Sequence, residues 1–191
     1  LRELYSHWYK RIHQLMKLPV LLFIVLTFFT SCNNFSSNTD YKFVNDLEYS
    51  YVWTDNYPPN IIKDDYARSG SSVCRLDDFF PYSPTFNIQL KELDENMKVS
   101  KVIVSAWLRS DSTEVRPEII LEYRDANKNV LWVDKNQLTM TSLNKGEWAM
   151  YAHEFKMDSV FAANQYNYIR TFFMNSSKSS VLCDDVTVMI K

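Results

Sequence analysis

The chain has 191 residues, with 21 basic and 23 acidic side chains and a formal net charge of −2, so it holds no excess of positive charge for a nucleic-acid backbone. Only two glycines, Gly70 and Gly146, are present, which rules out a glycine-rich phosphate cradle of the dinucleotide or P-loop kind. Three histidines, His7, His13 and His153, leave little material for a histidine-dependent triad or a zinc site built on paired imidazoles.

Residues 16–31 begin with one early base, Lys17, followed by a mostly apolar run at 18–30. That length fits the apolar region of a secretory signal and falls short of the roughly 20 residues a spanning helix needs. No polar stripe marks a second face, as a buried helix of a soluble core would show. The run ends in Phe29-Thr30-Ser31-Cys32, which resembles the lipobox of bacterial lipoproteins, and the loose lipoboxes of the Bacteroidetes in particular, with Phe29 where the motif usually has Leu. The resemblance implies that Cys32 is acylated and becomes the new N-terminus. Two or three acyl chains, at about 0.8 kcal/mol per buried methylene, then hold the protein on a membrane of the cell envelope without spanning it. Residues 1–15 are read as an upstream extension ahead of a start at Met16, residues 16–31 as the signal peptide, and the polar stretch 32–40 as a flexible tether. No acidic cluster follows Cys32, which in such lipoproteins favours a periplasmic over a cell-surface position.

Processing at Cys32 leaves 160 residues with 17 bases against 22 acids. That is one domain, able to bury about 70% of its unfolded surface in a single core. From residue 41 the chain turns to short β-branched and aromatic runs at 47–53, 71–76, 85–90, 98–108, 118–123, 130–133, 148–157, 166–174 and 181–190. Nine such runs without a helical stripe predict an all-β fold, an antiparallel β-sandwich over 41–191. Residues 101–108 are almost continuously apolar, as in a strand covered on both sides. The segments 118–125 and 130–133 flank Ala126-Asn-Lys-Asn129, which predicts a hairpin with Asn127 and Asn129 at the positive-φ positions.

The ordered set Asn45-Asp-Leu-Glu48 with Trp53, Ala67 through Leu76, Val102 through Trp107, Glu147-Trp148 with Phe155, and Cys183-Asp-Asp-Val-Thr-Val188 resembles the galactose-binding-like jelly roll of many carbohydrate-binding modules. It spans 41–191. The resemblance implies that Trp107 and Trp148 are core residues, that the Asp-Asp segment belongs to the last strand, and that the domain is complete at Lys191. It also implies a structural calcium at Glu48 and Asp184, with Asp185 and Asp46 in reserve, since calcium takes six to eight oxygens that the fold can gather from distant segments. The plainer reading of these acids is strand capping.

With Cys32 acylated, Cys74 and Cys183 remain as an even pair, open either to a disulfide or to a role as small core residues. Aromatic side chains make up 15% of the chain, and those in polar loops are candidates for stacking on a sugar. These are Tyr57, Tyr82 and Trp132, with Asn56 and Arg109 as hydroxyl partners; rim packing competes for each of them. The acid doublets Asp64-Asp65, Asp77-Asp78, Asp94-Glu95 and Asp184-Asp185 do not make a glycosidase dyad if adjacent strand residues point to opposite faces. His153 has no Ser or Cys partner in a motif. The expectation is therefore a lipid-anchored, non-catalytic binding module outside the cytoplasm, with a membrane and a glycan as partners and no nucleic acid. The alternative is a structural accessory subunit of an envelope protein complex, with no sugar ligand.

Overall fold

Residues alternating between buried and open along short β-branched segments produce ten strands in the computed structural model, which describes residues 40–48, 53, 60–93, 99–138, 145–157 and 164–191. In chain order they are β1 (Tyr41–Asn45), β2 (Ile61–Lys63), β3 (Ser72–Leu76), β4 (Phe86–Gln89), β5 (Lys101–Arg109), β6 (Glu118–Arg124), β7 (Val130–Gln137), β8 (Ala149–Lys156), β9 (Tyr168–Met174) and β10 (Val181–Ile190). All pairings are antiparallel. One sheet runs β2-β3-β10-β5-β8, with β1 also on β10; the other runs β4-β9-β6-β7. The ten-residue β10 is the seam of the larger sheet: its first part pairs with β3 and its second with β1, while β5 lies along its other side.

The inner faces of both sheets share one apolar core. Val102, Val104, Ala106 and Leu108 of β5 point into it from one side, and Ile119 and Leu121 of β6 with Ile169 and Phe173 of β9 from the other. Phe155 and Phe173 are almost fully buried, so truncating either to Ala should cost about 3–5 kcal/mol. The expected antiparallel sandwich is what forms.

Several local expectations are corrected. The run 47–53 is not a strand where it is described: Leu47, Glu48 and Trp53 lie in bends or turns, and the first strand is Tyr41–Asn45, earlier in the chain. Asn45 explains the stop, because its Oδ1 accepts the N–H of Leu47, which sits at φ 64°. The three-residue β2 went unseen because Ile61-Ile62-Lys63 is too short to show a period. β5 is not covered on both sides: it alternates strictly, with one face in the core and the other half open. In the hairpin, Lys128 and not an asparagine takes the positive φ, at 67°. Asp125 decides this, since its Oδ1 accepts the N–H groups of Asn127 and Asn129 at 2.9 and 2.8 Å and its Oδ2 accepts Asn129 Nδ2.

Candidate binding surfaces on the two outer faces

The loop between β3 and β4 begins at Asp77, a buried carboxylate. Its Oδ1 accepts the N–H groups of Phe79 and Phe80 at 3.0 and 2.9 Å, and its Oδ2 accepts Arg75 Nε at 2.9 Å. Burial raises the Asp77 pKa, but those amides and Arg75 outweigh it and the net shift is downward. Folded around this acid, the loop presents Phe79 at 80% exposure and Phe80 at 43%, two apolar rings facing water. Tyr82 follows at 55% exposure, bridged to Met174 at the end of β9 and fixed through its carbonyl, which accepts Asn60 Nδ2 at 2.8 Å.

Strand alternation brings the rest of this surface together. Ile169, Thr171 and Phe173 of β9 face inward, so Tyr168, Arg170, Phe172 and Met174 belong to the outer face. The Tyr82 ring meets Phe172 edge-on at 5.7 Å, and Arg170 lies over Phe172 at 5.2 Å. From the neighbouring β6, Glu122 Oε2 receives both Arg124 Nη2 at 2.7 Å and Arg170 Nη1 at 3.2 Å. Of the three rings of the capped loop, Tyr82 thus reaches, through Phe172 and Arg170, an outward carboxylate flanked by two guanidinium groups. Such a surface can stack on C–H faces and exchange hydrogen bonds with hydroxyls.

The outer face of the larger sheet carries a second cluster. Arg68 sits over Trp107 at 4.0 Å and Arg109 over Tyr66 at 4.6 Å, while Trp148 Nε1 donates to the Tyr66 carbonyl at 2.9 Å. A cavity of about 250 Å³ opens beside Trp107, lined in part by Ser69, Ser105, Met150, Asp185 and Thr187. Trp107 and Trp148 are thus outer-face residues and not core: Trp107 follows the outward register of β5, and Trp148 precedes β8.

The sequence candidates divide between these places. Tyr82 belongs to the aromatic loop. Arg109 lies on the opposite sheet, so the two do not form one site. Trp132 pairs with inward-facing Tyr123 and packs against the core. Tyr57, Asn56 and Cys32 lie outside the described residues. Cys74 and Cys183 are buried free thiols in direct cross-strand register. Sequence reasoning missed Phe79, Phe80, Phe172, Arg170 and Glu122. Two adjacent phenylalanines between Asp-Asp and Pro81 were the available signal for the first pair, and the alternation in β9 for Arg170 and Phe172.

Glu48 and Asp184 both act on the loop entering β3. Glu48 Oε1 accepts the N–H groups of Ser71 and Ser72 at 2.6 and 2.5 Å, and its Oε2 pairs with Lys63 Nζ at 3.3 Å. The Ser71 amide is the chief reason its carboxyl is lowered to about 2. Asp184 is fully buried, and its Oδ2 accepts the N–H groups of Arg68 and Ser69 at 2.9 and 3.2 Å. Burial pushes its carboxyl up to about 6. Asp185, at φ 49° in a β-bulge, turns toward the same loop, accepting Ser69 Oγ at 2.6 Å and pairing with Arg68. The adjacent acids therefore converge, against the expectation that strand neighbours diverge, because the bulge breaks the alternation. They converge on amides and a guanidinium. Among the described residues no group of three or more His, Cys, Asp or Glu side chains is arranged to hold a metal ion. The Glu48 and Asp184 carboxylates proposed for calcium are each occupied in accepting backbone N–H groups of the loop entering β3.

No protein-family model matches the sequence, and no curated protein matches it. Among solved structures, the chain is similar to the CBM22-2 xylan-binding domain of Xyn10C from Paenibacillus barcinonensis, at 14% identity and a TM-score of 0.47, covering 78% of this chain and 99% of that one. It is also similar to a family 16 carbohydrate binding module-2, at 14% identity and a TM-score of 0.41, covering 68% of this chain and 84% of that one. A third likeness is to the CBM22-1-GH10 modules of the Clostridium thermocellum xylanase 10B complexed with xylohexaose, at 15% identity and a TM-score of 0.44. There the alignment covers 69% of this chain and spans 24% of the larger protein.

Proposed function

We propose that this protein is a non-catalytic glycan-binding module held at a bacterial membrane through Cys32. The observation that carries the glycan reading is the loop of Phe79, Phe80 and Tyr82, whose rings stay exposed on a carboxylate-capped backbone, with Tyr82 leading through Phe172 to Arg170 and Glu122. Open apolar rings are costly to maintain in water, and a pyranose offers them C–H faces while its hydroxyls reach the charged pair. The anchor rests on the apolar run 18–30 and the lipobox-like Phe29 through Cys32. Tethering raises the effective concentration of a weak binding site near envelope glycans. A glycan array probed with residues 40–191 tests the reading: capture of β-linked or other polysaccharides, lost in Phe79→Ala/Tyr82→Ala, supports it, and silence across the array refutes it. The anchor is tested separately, by labelling cells with a radioactive fatty acid and comparing the full chain with Cys32→Ala.

The alternative, a structural accessory subunit, draws on a different feature. The edge strand β7 exposes Val130, Leu131 and Val133 at about half of their surface, an apolar edge suited to pairing with another protein strand. Pull-down of an envelope protein that is lost in Val133→Lys, with no glycan bound, would favour that reading.

A further inference from the structure

Antiparallel pairing of β3 with β10 sets Cys74 directly opposite Cys183, Cα against Cα. Directly opposed residues of an antiparallel ladder have Cα atoms about 4.5–5.5 Å apart and project to the same face. That range lies inside the roughly 4.4–6.8 Å window in which disulfides form. Both side chains are fully buried, and both are free thiols. Asn60 Nδ2 donates to Cys74 Sγ at 3.2 Å and to the Tyr82 carbonyl at 2.8 Å, which holds the sulfur in place from the β2 side.

We propose that Cys74 and Cys183 become joined by a cross-strand disulfide as the chain folds, stapling β3 to the seam strand β10. The oxidant is a disulfide-bearing thiol reagent, such as oxidised glutathione or a thiol-oxidising enzyme. One cysteine, as its thiolate, attacks a sulfur of that reagent and forms a mixed disulfide, releasing one reagent thiol. The second cysteine then attacks the protein sulfur of the mixed disulfide and releases the other. One S–S bond forms, the protein loses two protons and two electrons, and the reagent takes up both. Burial orders the events. It pushes the Cys74 and Cys183 thiols far above their usual range, so the folded pair is protonated and shielded, and exchange belongs to the stage before the apolar core closes over them. The bond closes a loop of about 110 residues, long enough for the constraint on the unfolded chain to be large. This inference is independent of the glycan reading.

The test uses the full chain, refolded from denaturant in mixed reduced and oxidised glutathione, alkylated with iodoacetamide in denaturant and digested with trypsin. Cleavage after Arg68, Arg75 and Lys178 gives peptides 69–75 and 179–191, each with one of the two cysteines. The expected product is these peptides linked to each other, separated by reductant, from a protein that melts roughly 5–15 °C above its reduced form. In Cys183→Ala, peptide 69–75 is expected to be alkylated. Recovery of both wild-type peptides alkylated, or of either one linked to the Cys32 peptide, overturns the proposal.

Discussion

The Glu48 carboxylate fills the space where a side chain at Gly70 would begin: a β-carbon there would lie 2.5 Å from Glu48 Oε1. Gly70 is also at φ 59°, a left-handed conformation that costs an L-residue about 1–2 kcal/mol. Gly70→Ala should therefore destabilise the fold by about 2–4 kcal/mol, and by only about 1–2 kcal/mol when made in a Glu48→Ala background. Chemical denaturation of the four proteins in this cycle measures the difference, and equal costs in both backgrounds would remove the close contact as the cause.

The same loop makes stability depend on pH in two opposite ways. Glu48 is lowered from 4.5 to about 2, so its contribution is present above about pH 4.5 and is lost as pH falls toward 2. Asp184 is raised from 3.8 to about 6, chiefly by burial, so the folded chain holds this proton more tightly than the unfolded chain does. Its contribution is present below about pH 4 and is lost as pH rises through 6, on the order of 3 kcal/mol. Denaturation midpoints should peak between about pH 4 and 4.5 and decline toward pH 7. In Asp184→Asn that decline should disappear, and above about pH 6 the variant loses the hydrogen bonds of a carboxylate that accepts three N–H groups.

Lys128 holds the one positive-φ position of the β6–β7 turn, where its side chain gains nothing from the conformation. Lys128→Gly should stabilise the protein by about 0.5–1 kcal/mol, and Asp125→Ala should destabilise it through the loss of its turn hydrogen bonds. A thermal melt of each variant separates the two effects by sign.

On the aromatic loop, binding and stability should separate. Phe79 is 80% exposed, so Phe79→Ala should leave stability within about 0.5 kcal/mol, while each lost ring weakens glycan binding by about tenfold. Asp77→Ala should impair both, since it removes the cap that shapes the loop. Titration calorimetry with an array-selected glycan, alongside melting curves, reads the two quantities.

Much of the fold was legible from residue pattern. The β-branched and aromatic runs of β5, β9 and β10 were strong enough to place those strands within three residues of where they lie. The turns were less legible, because a side-chain oxygen two to four residues away decides them, as Asp125 does around Lys128 and Asn45 for Leu47. Of the proposed ligand contacts, Tyr82 was found from its loop context, whereas Arg170 and Glu122 become neighbours only through the β6–β9 register.

What the sequence alone determined is periodicity: two-residue alternation commits the chain to sheets with one apolar face each, and near-absence of glycine leaves the sharp turns to side-chain caps. What only the tertiary structure decided is which distant residues meet. Trp107 lies outside and Trp132 inside, Cys74 faces Cys183, and Asp184 and Asp185 grip one loop. Each depends on strand order, register or a single bulge, for which local pattern carries no term.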